Sequence, residues 1–82
     1  MNQLIEKLLE YRDTNLGQYA IQASAYIRVY QAGDSSFDNL SVTINQIIGI
    51  SPHNPSWEEI DKKAQFDELL RQILVALETQ HA

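Results

Sequence analysis

The stretch at residues 16–32, LGQYAIQASAYIRVYQA, decides the fold. Its apolar residues recur at alternating steps of three and four, so an α-helix gathers them into one seam. That seam contains Leu16, Tyr19, Ala20, Ala23, Tyr26, Ile27 and Tyr30. A second stripe, about 150–180° away on the helix surface, contains Ile21, Ala25, Val29 and Ala32. A helix that is apolar on two sides must be covered on two sides, so we expect this one to be central.

The same stretch allows a second interpretation over residues 26–30. Aromatic and β-branched residues alternate in YIRVY, as they do in a strand. The upstream alanines and the sustained helical period favour the helix. Gly33 follows directly and is suited to the left-handed position that ends a helix.

Outward from this helix, three further helices are expected. The predicted fold is all-α, a small four-helix bundle-like domain spanning residues 1–82, with helices at about 2–13, 16–32, 36–48 and 57–79. The apolar face of the first helix contains Met1, Leu4, Ile5, Leu8, Leu9 and Tyr11. The expected N-caps of the other three helices are Asn15, Ser35 and Ser56. Pro52 and Pro55 separate the third helix from the fourth.

The fourth helix changes its apolar face part-way along. Trp57, Ile60 and Ala64 share one side, whereas a second set lies roughly 150° round the helix. That second set is Phe66, Leu69, Leu70, Ile73, Leu74 and Leu77. Either the helix breaks near residues 62–65, or its halves pack against different things, with Trp57 covering the loop at residues 50–56 or a second subunit.

Composition narrows the function classes. The 82 residues include eleven acids, six bases and no cysteine, and the net charge is −5. Acids outnumber the bases that would neutralise phosphates, so no nucleic-acid partner is expected. The longest apolar run, at residues 47–50, is too short for a bilayer, and the N-terminal stretch does not resemble a signal peptide. We therefore expect a cytoplasmic protein without a membrane partner.

Candidate catalytic and metal sites are lacking in the sequence. His53 lies between two prolines, His81 is one residue from the end, and neither has partners at a ligand spacing. The three glycines fit helix ends and first turns rather than phosphate-binding loops. The acids of the fourth helix are explained by capping and by a solvated face that includes Asp67. An enzyme, a metal and a cofactor are not expected.

The distribution of charge suggests an interaction surface. Between residues 14 and 56 the formal charges are Arg28, Asp34 and Asp38, while both ends of the chain are densely charged. Interface cores are depleted in charge and enriched in aromatic residues. We therefore predict a protein partner, either another protein or a second copy in a homodimer, on the low-charge face of helices 2 and 3. The predicted interface residues are Tyr19, Tyr26, Arg28, Tyr30, Ile44 and Trp57.

Two other functions remain open at this point. The chain can be an inhibitor, immunity or antitoxin-like protein that blocks a basic partner with the acids of helices 1 and 4. It can also be a small-ligand-binding bundle with a pocket lined by Tyr19, Tyr26 and Tyr30, whose hydroxyls would orient the ligand.

Overall fold

A computed structural model describes residues 2–51 and 53–81, and these form four α-helices without a strand. The helices are α1 (Asn2–Leu9), α2 (Gly17–Gln31), α3 (Phe37–Ile48) and α4 (Trp57–His81). A 3-10 helix at Glu10–Asp13 extends α1. The predicted all-α, bundle-like fold is confirmed, and residues 26–30 are helical. Met1 and Pro52, which entered the sequence predictions, lie outside the described residues.

All four helices contribute to the core. α1 packs against α2 and α4, and α3 packs against the same two helices. The buried apolar side chains form one cluster: Leu8, Leu16, Ala20, Ala23, Ile27, Tyr30, Leu40, Ile44, Ile47, Phe66, Leu69, Leu70, Ile73 and Leu77. Burying one large aliphatic side chain stabilises a fold by about 1.5–3 kcal/mol, so this cluster is the main stabilising element.

The turn between α1 and α2 is held by Thr14 rather than by the predicted cap. The Thr14 hydroxyl donates to the Tyr11 carbonyl at 2.6 Å and accepts from the Leu16 N–H at 3.1 Å. The N-cap residue is Leu16, with no side-chain cap. The prediction that Asn15 caps α2 is therefore wrong, because the Asn15 amide instead donates to the Glu59 carboxylate at 3.1 Å.

The two ends of the α2–α3 connection differ in how well they were predicted. Gly33 has φ 83°, and a Schellman pair forms as the N–H groups of Gly33 and Asp34 bond the carbonyls of Tyr30 and Val29. That prediction is confirmed. The N-cap of α3 is Ser36 and not Ser35, because the extended backbone of Ser36 aims its hydroxyl at the Asn39 N–H, 3.2 Å away.

α4 is one continuous helix of 25 residues. Ser56 caps its first turn as predicted, accepting from the Glu59 N–H at 3.2 Å. The change of apolar face is therefore a change of surroundings and not a break. The C-terminal half of α4 supplies core residues, whereas Trp57 at its start is 84% exposed and does not cover the preceding loop.

Candidate interaction surface on α2

The second apolar stripe of α2 faces solvent. Ile21 is 53% exposed and Val29 is 43% exposed, and Ala25 and Ala32 on the same side are also exposed. The expectation that the fold covers both sides of this helix is wrong. α2 packs against α1, the 3-10 helix and α3 with its first seam, and nothing in the described chain covers its second.

The exposed side of α2 carries almost no charge. Residues within about 60° of Ala25, at 100° per residue, make up what we call the α2 face. Its members are Gln18, Ile21, Gln22, Ala25, Arg28, Val29 and Ala32, all of them exposed. Arg28 is its only charged member, and none of its members is an acid. This face shares two features of interface cores, since charged residues are depleted and its single charge is an arginine.

The predicted interface residues divide between the core and the surface. Ile44 is 1% exposed, and Tyr30 is buried and packs edge-to-face on Phe37 with ring centroids 5.9 Å apart. These two side chains hold α2 and α3 together and are not accessible to a partner of the folded chain. Tyr26, Arg28 and Trp57 are exposed and remain accessible to a partner, and of these Arg28 belongs to the α2 face.

Tyr19 lines a separate cleft of about 420 Å³. The cleft lies where the start of α2 meets the start of α4, and its lining includes three carboxylates. The lining residues are Asp13, Thr14, Asn15, Leu16, Tyr19, Ile50, Ser56, Glu58, Glu59, Lys62 and Lys63. Neither Tyr26 nor Tyr30 contributes, so the structure does not bring the three tyrosines together in one pocket.

The residues that the structure describes contain no cluster of three or more His, Cys, Asp or Glu side chains suited to a metal ion. His53 is exposed in its loop, and the side chain of His81 lies outside the described part. Over the same described ranges, no helix has the length and apolar character needed to cross a membrane.

No protein-family model, curated protein or solved structure matches this chain. Function is therefore inferred from the surface of this chain itself.

A buried cation on α4 was missed by sequence reasoning. The Lys63 side chain is 7% exposed, and its Nζ donates to the Asp67 carboxylate at 2.6 Å and to the carbonyls of Ile47 and Ile48 at 3.1–3.3 Å. Three acceptors match the three protons of an ammonium group. The prediction that Asp67 lies on the solvated face of α4 is therefore wrong. Asp67 pairs with Lys63, which caps the C-terminal end of α3; we call this the Lys63 link.

Proposed function

We propose that this chain is a non-enzymatic protein–protein interaction module that self-associates through the low-charge faces of α2 and α3. The observation that carries the proposal is the row formed by Ile21, Ala25 and Val29, which is apolar, exposed and free of acids. Burying such a row against an equivalent surface removes apolar area from water without desolvating a carboxylate.

Charge favours a second copy of the chain as the occupant. The whole chain carries −5, whereas residues 14–56 carry one base and two acids, a net −1. Two copies that approached through residues 57–82, which carry six acids and three bases, would repel each other, and the middle segment avoids that repulsion. The exposed side of α3 is also low in charge: Asn39, Val42, Asn45 and Gln46 face solvent there, and Asp38 is its one charged residue.

The size of the surface limits the strength of the proposed dimer. A helix of 15 residues is about 22 Å long. One pair of such helices buries less than the roughly 800 Å² per partner of a standard stable interface. We therefore expect a weak dimer with a dissociation constant in the micromolar range or above.

A charged substitution on the α2 face should weaken the dimer while the same change elsewhere should not. Val29→Glu places two carboxylates, one from each copy, in the proposed contact between α2 faces. We therefore expect the dissociation constant of the dimer to rise at least about tenfold. Sedimentation equilibrium from about 10 μM to 1 mM covers the expected range of affinity. Circular dichroism should show unchanged helix content, since Val29 is already half exposed.

The matched control for that measurement is Val75→Glu. Val75 is 62% exposed on α4, so Val75→Glu introduces the same chemical change outside the α2 face. Its dissociation constant should equal that of the parent chain. A parent chain that stays monomeric at every concentration contradicts the proposal, and so do equal losses of affinity in the two variants.

The cleft supports a second candidate function, the blocking of a basic partner. Asp13, Glu58 and Glu59 supply carboxylates around the cleft. Trp57, almost fully exposed, lies in sequence between Ser56 and Glu58, both of which line it. An exposed tryptophan beside acids suits a partner surface that combines cations with an apolar pocket.

Salt distinguishes this candidate from self-association through the α2 face. A complex isolated from the native host should dissociate as salt rises to about 0.5 M. At that ionic strength the attraction between exposed charges extends over only a few ångströms. Trp57 is the single tryptophan of the chain, so its emission reports the contact directly. A complex that survives high salt, or one that leaves the emission unchanged, counts against the blocking function.

A further inference from the structure

We infer that the outer side of α4 around Trp57 binds a basic amphipathic helix of another protein. This inference rests on the second candidate function, the binding of a basic partner, and it names the surface and the kind of partner. It places the contact on the outside of α4 rather than in the cleft. It does not depend on self-association through the α2 face.

Trp57 belongs to a strip of exposed side chains along the first three turns of α4. Residues 57–68 that lie within about 60° of Trp57, at 100° per residue, make up what we call the Trp57 strip. Its members, all of them exposed, are Trp57, Ile60, Asp61, Ala64 and Glu68. Phe66 and Leu70 lie on the opposite side of the helix and are completely buried. The strip therefore points away from the core of its own chain.

The apolar part of the Trp57 strip is large enough to anchor a partner. Trp57 is 84% exposed and Ile60 is 41% exposed, and the small side chain of Ala64 follows one turn farther along. A tryptophan side chain buries about 150–250 Å² when it is covered, and tryptophan is enriched among the residues that dominate binding energies. Because this area is in water in the free chain, covering it favours binding.

Charge identifies the occupant of the strip as cationic. Residues 57–68 contain five acids and two bases, a net −3. Neither base neutralises the strip, since Lys63 is buried in the Lys63 link and Lys62 pairs at 3.5 Å with Glu58, which lies outside the strip. A second copy of the strip, a nucleic acid and an anionic membrane would all be repelled by this charge. A protein segment with lysine or arginine beside its apolar residues would be attracted.

The acids inside the strip are placed where such cations can reach them. Asp61 is four residues from Trp57, so its carboxylate is a neighbour of the indole ring on the helix surface. A cation that pairs with Asp61 can therefore also lie over the ring and gain a cation–π contact. Glu68 pairs with Arg71 at 3.8 Å, but both side chains are more than half exposed. Such a pair contributes little, so Glu68 also remains available to a partner.

The all-α fold favours a helix as the form of the partner. A peptide that binds as an added strand needs an exposed sheet edge, and the described residues contain no strand. The Trp57 strip instead runs along a helix axis for about 16 Å, which is the length of three turns of a second helix. Two helices pack by seating the side-chain ridge of one in the groove of the other.

Pairing of the α2 faces would leave the Trp57 strip uncovered. α1 and α3 each pack against both α2 and α4, so they lie between those two helices. The outer sides of α2 and α4 therefore face in different directions. A self-associated pair would present two Trp57 strips, one on each copy, and would bind two basic helices.

The test uses three synthetic peptides of about 18 residues, long enough to form a helix. The first has leucine at helical spacing along one face and lysine elsewhere, the second has glutamate in place of lysine, and the third contains the residues of the first in an order without an apolar face. The first peptide should shift the emission of Trp57, the single tryptophan, to shorter wavelength as the ring leaves water. The other two should bind at least about tenfold more weakly.

Substitutions in the chain locate the contact, with the anisotropy of a labelled lysine peptide as the readout. Trp57→Ala and Glu68→Lys should each raise the dissociation constant of the peptide at least about tenfold. The matched control is Glu78→Lys, which makes the same change in net charge on an exposed residue of α4. Glu78 is about 15 Å from Glu68 along the helix, so at physiological salt this variant should raise the dissociation constant less than about threefold.

Three results would overturn the inference. The first is a lysine peptide that does not bind below about 1 mM. The second is an equal loss of affinity in Glu68→Lys and Glu78→Lys, which would mean that net charge rather than the strip attracts the peptide. The third is binding that is weakened by Asp13→Lys but not by Trp57→Ala, which places the basic partner in the cleft and leaves the blocking function standing. The salt dependence of the native complex tests that function separately, and sedimentation of the parent chain tests self-association.

Discussion

Lys63→Met should lower the free energy of unfolding by about 3 kcal/mol. The methionine keeps the buried aliphatic stem but removes the ammonium group. The Asp67 carboxylate, whose side chain is only 15% exposed, is then left without its counter-ion. The carbonyls of Ile47 and Ile48 lose their side-chain donor as well. Leaving such groups unpaired costs far more than the net contribution of an ordinary hydrogen bond.

The neighbouring Lys62 provides the matched control. Lys62 pairs with Glu58 at 3.5 Å, but both side chains are largely exposed to water. Lys62→Met should therefore change stability by less than about 0.5 kcal/mol, as is usual for surface ion pairs. Urea denaturation followed by circular dichroism measures both variants. Equal stabilities of Lys62→Met and Lys63→Met would contradict the structural role assigned to Lys63.

A double substitution separates two contributions of Lys63 to stability, the ion pair with Asp67 and the hydrogen bonds to the α3 carbonyls. Lys63→Met combined with Asp67→Leu leaves no unpaired carboxylate, so it should be more stable than Lys63→Met alone. The loss that remains measures what Lys63 contributes through the α3 carbonyls. Since the two residues are in direct contact, their effects should not add. If the double variant loses as much stability as Lys63→Met and Asp67→Leu lose separately when summed, the two groups act independently.

Sequence reasoning predicted what depends on local physics. The helical period located all four helices, and Gly33 and Ser56 acted as the expected helix ends because their partners lie within a few residues of them. The Lys63 link could not be predicted in the same way. Its acceptors are backbone carbonyls 15 and 16 residues away, and a carbonyl leaves no trace in the choice of side chains.

The candidate site was predicted only in part, for a related reason. The sequence showed two apolar stripes on α2 but did not show which of them the fold covers. In the structure, α1 and α3 both pack on the first stripe, so Tyr30 is buried and Ile21 is exposed. Because α4 packs on α1 and α3, no described helix is left to cover the second stripe of α2. The charge pattern directed the interface prediction to α2 and α3, and the assembled fold shows which side of α2 is exposed.

Gly17→Ala should destabilise the protein by about 2–3 kcal/mol, although alanine is the better helix former. A Cβ atom built at Gly17 overlaps the carbonyl oxygen of Arg12 and lies 2.9 Å from its carbonyl carbon. Both atoms belong to the backbone of the 3-10 helix Glu10–Asp13, so no side-chain rotation relieves the overlap. Either α2 or the 3-10 helix has to move, and this disturbs the packing around Leu16 next to it.

The other two glycines calibrate that result, because each isolates a different property of the residue. Gly49 has right-handed φ −75°, and an added Cβ would meet no atom closer than 3.5 Å, so Gly49→Ala should be neutral or stabilise by about 0.5–1 kcal/mol. Gly33 has open space but φ +83°, so Gly33→Ala should cost about 1–2 kcal/mol through backbone strain. Urea denaturation should therefore rank Gly17→Ala as the least stable variant and Gly49→Ala as the most stable. A Gly17→Ala variant as stable as Gly49→Ala would mean that α2 does not begin in close contact with the Arg12 carbonyl.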